Sequence, residues 1–401
     1  MDKRLTITEG MRAILDYPKF AGPTRMLVLE TQYFFDQSWV RAAQSLGWET
    51  AAVPSVMTGG LTRDQIAALF QTVGSFKPHF ILTSNYAGMD EMGLFARFFE
   101  DARIPYVSWF TDTPRMILFN RTVHGSPYSV AATWERAYIP HLEAHGFPHV
   151  CFMPHATDPG LFNGAPAAAW DRDLAFVGVS MIEHAEEAWE KLEANPALKQ
   201  AAREAFDEGR VTREAFAQGV ETILDPALLS AADASDRRNV ELCLVYEATR
   251  RIRVEMVQRL APHGVDVFGD DAWQAVHNRC YGDIGYFDSL APFYRGTAIN
   301  LNATSLQMRT SVNQRVFDCP AAGGFLITDA QGDLEEFFDP ETETVTYTTL
   351  DELEDKVRYY QRHPEARTSI VHAARRRIAA HHTHAHRLRD LETYLRERYA
   401  T

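Results

Sequence analysis

The sequence predicts an α/β protein made of two open sheets of parallel strands, each with crossover helices. Three observations predict it. From Gly22-Pro23 onward, short apolar runs bounded by turn residues alternate with longer amphipathic segments. The alternation stops at a turn-rich break, Pro154-His155-Ala156-Thr157-Asp158-Pro159, and resumes at Leu174. The length of 401 residues suits two domains at roughly 100–200 residues each.

Residues 1–22 read as a polar, irregular lead-in. Met26-Leu27-Val28-Leu29 is the first strand, and residues 36–46 are a helix closed by Gly47. Strands follow at Thr50–Val53, His79–Thr83, Tyr106–Phe110, Val130–Thr133 and Val150–Met153, with helices over 62–75 and 90–102. The second series opens at Leu174-Ala175-Phe176-Val177-Gly178 and is interrupted at once by a helical insertion over about 183–260, with a polar break near 225–237. It resumes with Val265–Gly269, Ile299–Asn302, Gly324–Asp329 and Val345–Tyr347, and with helices at about 311–321, 350–362, 365–380 and 384–399. The domains are therefore 1–154 and 155–383 with the insertion, followed by a closing helical segment 384–401. Two such halves on a short hinge are expected to face a central cleft, with ligands at the strand ends.

Composition narrows the function classes. Hydrophobic residues make up 46% and charged residues 23%, a globular balance. With 40 Lys and Arg against 54 Asp and Glu, the net charge is -14, which argues against nucleic acid as a partner. The four cysteines, Cys151, Cys243, Cys280 and Cys319, form no CxxC pair, so neither a zinc ribbon nor a disulfide scaffold is expected. No run approaches the ~20 apolar residues of a spanning helix. No apolar signal core lies within residues 1–20, so a cytoplasmic location is expected and a periplasmic-type binding protein is disfavoured.

The strongest local signal is Asn313-Gln314-Arg315-Val316-Phe317-Asp318 followed by Ala321-Ala322-Gly323-Gly324 and an apolar strand. Read as a site, Gly323 and Gly324 let the backbone approach a ligand with amides free for a phosphate. Arg315 then pairs a diphosphate and Asp318 accepts ribose hydroxyls. Read as structure alone, the same residues are a helix–Gly-Gly–strand connection with a surface salt bridge.

Residues 311–390 resemble the C-terminal domain of CgeB-like glycosyltransferases, group-1-type enzymes of the GT-B fold. The matching residues are Asn313–Asp318, Gly323–Asp329, Asp333–Phe338, Leu353, Tyr359-Tyr360, His363–Arg367, His382-Thr383 and His386-Arg387. Met153–Pro159 with Phe162, Phe176-Val177-Gly178, Tyr294 and Ile299–Asn302 are similar to other parts of that family. The likeness is strong over 150–180 and 265–390, and looser in the N-terminal half, where Trp109–Pro114 carries it. It implies a GT-B fold of two Rossmann-like domains and transfer of a sugar from a nucleotide diphosphate sugar to a hydroxyl of a glycan or protein acceptor. It also implies no cofactor, no metal, and a closing helix over 384–401 that crosses back to the first domain. Gly178, Asn302, Arg315, Asp318, Gly323 and Gly324 are then the donor-binding candidates. Many retaining relatives carry two glutamates separated by seven residues. Asp318 stands at the second position, but Thr310 stands at the first. That departure leaves the stereochemistry open and supports a second reading, a catalytically silent GT-B-like protein that binds a nucleotide or glycan in surface assembly.

An inverting transfer needs a base near the acceptor. Asp112 follows the strand Tyr106–Phe110 and is the first candidate, with a turn aspartate as the alternative; His124 is the second. Tyr86 is a candidate for stacking on a sugar or acceptor ring, or else covers the core, and His155 lies at the hinge. His382 and His386 have the i, i+4 spacing of metal ligands, but no HExxH glutamate accompanies them, and the resemblance makes them a helix start. Asp171-Arg172-Asp173 has the letters of a DxD motif but precedes its strand.

Overall fold

The computed structural model describes residues 8–31, 34–56, 61–340 and 342–400. The chain divides into two compact units. One holds the chain up to Pro154 together with the segment from Thr383; the other is His155–His382.

The first unit is a six-stranded parallel sheet. Its strands are β1 (Arg25–Glu30), β2 (Glu49–Pro54), β3 (Phe80–Ser84), β4 (Tyr106–Phe110), β5 (Ser129–Thr133) and β6 (His149–Phe152), in the order β2-β1-β3-β4-β5-β6. The middle strands β3, β4 and β5 are buried along their whole length. That is why they read as near-continuous apolar runs: helices cover both faces of a parallel sheet. One face packs on Leu69, Val73, Phe95, Phe98 and Phe99. The other packs on Trp39 and on Leu388, Leu391 and Leu395 from the helix His384–Tyr399, so the last helix belongs to this unit. Thr8 caps a short helix, Glu9–Leu15, inside the stretch expected to be irregular; burial of Leu15 holds it in place.

The second unit is also a six-stranded parallel sheet. It comprises β7 (Arg172–Val177), β8 (Asp266–Phe268), β9 (Cys280–Tyr281), β10 (Thr297–Leu301), β11 (Leu326–Asp329) and β12 (Val345–Tyr347), in the order β12-β11-β10-β7-β8-β9. Strand β9 is two residues long, too short to leave a periodic signal in the sequence. Between β7 and β8 run the helices of the insertion, from Ile182–Lys191 to the long Ala234–Leu260. Pro226–Ala231 forms a short helix within the expected polar break. The insertion has its own apolar core around Leu198, Phe216, Leu244 and Ala248. No described helix is long and apolar enough to cross a membrane.

Candidate functional site

In a sheet ordered 3-2-1-4-5-6, chain direction across the sheet reverses between the first and fourth strands, and the carboxyl ends there form the ligand crevice. In the second unit those strands are β7 and β10. Arg315 joins their ends. Its Nη2 donates to the Val177 carbonyl at 2.5 Å and its Nη1 to Asn302 Oδ1 at 2.7 Å. Its Nε lies 3.3 Å from the Tyr294 hydroxyl. Asn302 is buried and holds this geometry: Oδ1 also accepts from Asn313 Nδ2 at 3.0 Å, and Nδ2 donates to Thr328 Oγ1 at 2.9 Å. Gly178 follows directly; a Cβ there would lie 3.0 Å from the Phe176 ring and 3.8 Å from Arg315 Nη2.

A second guanidinium stands here that the sequence reading did not single out. Arg253, on the long helix of the insertion, donates from Nη1 to the Val179 carbonyl at 2.6 Å. Burial first and the neighbouring Arg315 second lower its pKa to about 10; Asp270 and Asp329 oppose that shift. Two like charges beside one strand end favour an anion between them. The loop they meet is tightly built. Ser180 donates to Asp270 from its backbone N–H and from its hydroxyl, each at 2.7 Å, and Met181 adopts a left-handed φ of 65° before the next helix. Left-handed non-glycine residues of this kind concentrate at functional sites.

Asp318 lies apart from this cation pair. Arg315 turns to the strand ends, while Asp318 turns into the unit's interior and is 1% exposed. Thr157 Oγ1 donates to its Oδ1 at 2.7 Å and the Tyr286 hydroxyl to its Oδ2 at 3.3 Å. Burial pushes its pKa up to about 8, and Asp158 adds to the rise. The expectation of a carboxylate open to ribose is corrected here: both oxygens are engaged by the chain. Gly323 and Gly324 also differ from expectation. Their amides are not free; they donate to Pro320 and Cys319 carbonyls at 2.9 Å each. A Cβ on Gly323 would lie 2.6 Å from the Ala165 carbonyl oxygen, and one on Gly324 2.6 Å from that of Tyr294. These glycines admit the chain itself, and Gly323 adopts φ 93°.

In the first unit the sheet reverses between β1 and β3. Asp36 binds both strand ends there, accepting from the Thr31 N–H at 2.7 Å and from Ser84 Oγ at 2.9 Å. Asn85 follows β3 with φ 50° and joins it to β4. Its Oδ1 accepts from the Thr111 N–H at 2.8 Å, and its Nδ2 donates to Asp112 Oδ2 at 2.9 Å. Asp112 thus sits at the carboxyl end of β4, oriented by an amide. Tyr86 does not line this edge. It is 2% exposed, edge-on to Tyr106 and Phe147 in the core, which closes it to stacking on a ligand. His124 anchors its own loop, with Nε2 2.7 Å from the Glu91 carbonyl and its ring filling the space beside Gly93. His155 is buried in the second unit.

The histidine cluster is structural. His382 Nε2 lies 2.9 Å from the Phe337 carbonyl among Phe317, Phe337 and Phe338, and His386 completes the capping box of the last helix with Thr383. Among the described residues no group of three or more His, Cys, Asp or Glu side chains is arranged to hold a metal.

Residues 250–393 match a family model described as glycosyl transferase-like, a stretch that includes both Arg253 and Arg315. A glycosyltransferase from Rickettsia africae superposes with a TM-score of 0.55 at 9% identity, over 94% of this chain and 99% of that one. The sucrose-phosphate synthase of Thermosynechococcus elongatus gives 0.53 at 11% identity, over 94% and 100%. Anabaena HepE in complex with UDP gives 0.50 at 9%, also over 94% and 100%. The fold is that of the GT-B glycosyltransferases. No curated protein sequence matches this chain significantly. In a GT-B protein both units are Rossmann-like, and in this chain both carry their polar, oriented side chains at the carboxyl strand ends.

Proposed function

We propose that this chain is a glycosyltransferase that moves a sugar from a nucleotide diphosphate sugar to a hydroxyl acceptor, a surface glycan or glycoprotein, within the cytoplasm and in the manner of the CgeB-like enzymes. One observation carries the reading: Arg315 and Arg253 converge on the β7 carboxyl end, where Gly178 and Val179 leave the sheet. Two guanidiniums in a partly desolvated crevice stabilise a leaving diphosphate electrostatically. They supply the charge that a divalent cation supplies elsewhere, so the reaction needs no metal. Asp112 is the proposed base that takes the proton of the acceptor hydroxyl, with Asn85 holding its carboxylate.

Calorimetry with UDP, GDP and dTDP tests the donor site, and the complex of HepE with UDP makes UDP the first choice. One of the three is expected to bind, equally well in excess EDTA. Arg315→Gln and Arg253→Gln should each weaken it at least tenfold, since a hydrogen bond to a charged group contributes about 1.5–3 kcal/mol. Unchanged affinity in both variants would remove the pair from the site. The closed environment of Asp318, with Thr310 where relatives carry an acid, favours a second reading: a nucleotide-binding GT-B protein without transfer activity. Nucleotide binding with no turnover on any glycan acceptor would select it.

A further inference from the structure

The first unit holds a cavity of about 590 Å³ unconnected with the chemistry above. It lies where Glu9–Leu15, the turn after it, the loop between Asp101 and β4, and the end of the last helix meet. Arg12, Lys19 and Arg103 line it together with the rings of Tyr17, Tyr128 and Tyr399. Lys19 is 4% exposed. Its ammonium donates to the carbonyls of Leu15 at 2.9 Å and Tyr17 at 3.3 Å and stands 3.3 Å over the Tyr17 ring. An ammonium has three protons, so one is left for another acceptor.

The electrostatics are unbalanced. Arg25 and Lys77 lie 5.7 and 6.0 Å from the Tyr17 ring centre. Among the described residues no carboxylate forms a salt bridge with any of these five cations. Asp16 and Asp101 also line the cavity, and Asp16 attracts Lys19, yet burial and the surrounding cations lower the Lys19 pKa to about 8. A concentration of positive charge around a buried lysine is unusual in a chain of net charge -14. Of these cations Lys19 is the buried one, and a buried charge is normally paired. The volume lies within the range of roughly 300–1,000 Å³ typical of small-molecule sites. Tyr128 and Tyr399, stacked at 5.1 Å, add an aromatic wall.

We propose that this cavity is a second ligand site that takes a small organic phosphate, with the phosphate on Lys19, Arg12 and Arg103 and the apolar body against the tyrosines. The site is independent of the donor site in the second unit.

Calorimetry on the full chain tests it with phenyl phosphate, inorganic phosphate and benzoate. Phenyl phosphate should bind saturably and more tightly than the other two. Lys19→Met, which keeps the volume of a buried side chain, should weaken it by about tenfold or more, as expected for loss of a charged hydrogen-bond partner. Arg12→Ala, at an exposed helix position where folding is not at stake, should weaken it in the same direction. Arg315→Gln should leave it unchanged, and a parallel UDP titration reports on the donor site separately. Absence of saturable binding, wild-type affinity in both cavity variants, equal binding of benzoate, or loss of binding in Arg315→Gln would each overturn the proposal.

Discussion

Burial dominates the chemistry of Asp318. Its carboxyl is raised from an ordinary value of 3.8 to about 8, so between those values the folded chain binds a proton that the unfolded chain releases. The stability this contributes is fully present below 3.8 and is lost as pH rises through about 8. Asp318→Asn removes the titration while keeping partners for Thr157 and Tyr286. Urea denaturation across this range should show the wild-type chain losing stability relative to the variant as pH rises. A constant difference would mean that Asp318 is ionised throughout. Asn85 presents Asp112 at a strand end rather than in the interior. A general base contributes roughly 10²–10⁴-fold to rate, so Asp112→Asn should lower turnover by that order while UDP affinity, which depends on the other unit, holds. Near-wild-type turnover in the folded variant would remove Asp112 from the role.

At the scale of elements, the crevice of the second unit depends on two loops pressed together. The end of β7 gives the Val177 carbonyl to Arg315 and the loop after it gives the Val179 carbonyl to Arg253, and the loop after β8 supports that loop through Asp270 and through Trp273, whose Nε1 donates to the Gly178 carbonyl at 2.8 Å. Gly269 makes the approach possible: a Cβ there would lie 2.3 Å from the Gly178 carbonyl oxygen. Gly269→Ala must therefore push the β7 loop away. Overpacking of this kind costs about 1–3 kcal/mol. Denaturation and UDP calorimetry on the same variant should show both the loss of stability and weaker binding. Full affinity despite lost stability would show that the loop does not carry the nucleotide.

At the scale of the whole molecule, the two ends of the chain share one unit. Leu388, Leu391 and Leu395 are fully buried in the same cluster as Trp39 and Trp109, and Arg396 donates to the Phe20 carbonyl at 2.6 Å. The first sheet is thus covered on one face only once residues 384–399 have been made. Leu391→Ala should cost about 2–5 kcal/mol, and the loss should fall on the first unit. Thermal unfolding with and without UDP resolves this: the transition that UDP does not shift should move down, and the one it shifts should stay. A fall in the UDP-sensitive transition instead would mean that the units do not unfold separately.

The sequence by itself determined the strands, the long helices and the break at residues 154–159, because an apolar run, a 3.6-residue period and a turn cluster are local properties of the chain. Gly178 and Asn302 directly follow β7 and β10, and Arg315 opens the helix Arg315–Ala321; the donor role proposed for Gly178 and Asn302 comes from the family resemblance rather than from these patterns. Exceptions at this level are short. The helix Glu9–Leu15 and the two-residue β9 are stabilised by what they touch rather than by their own periodicity. Tertiary structure alone decided which side chains meet. Arg253 comes from an insertion whose helical pattern says nothing of the strand end beneath it, and Asp36, Asn85 and the Ser180–Asp270 pair join segments far apart in the chain. The same holds for Asp318, Tyr86, Gly323 and Gly324. Their residue types suit a ligand, but whether a carboxylate, a ring or an amide faces ligand or chain depends on distant packing, and here Tyr286, Phe147 and Ala165 fill the space. Spacing in sequence measures distance along the backbone, while desolvation and hydrogen bonding depend on distance through the folded interior.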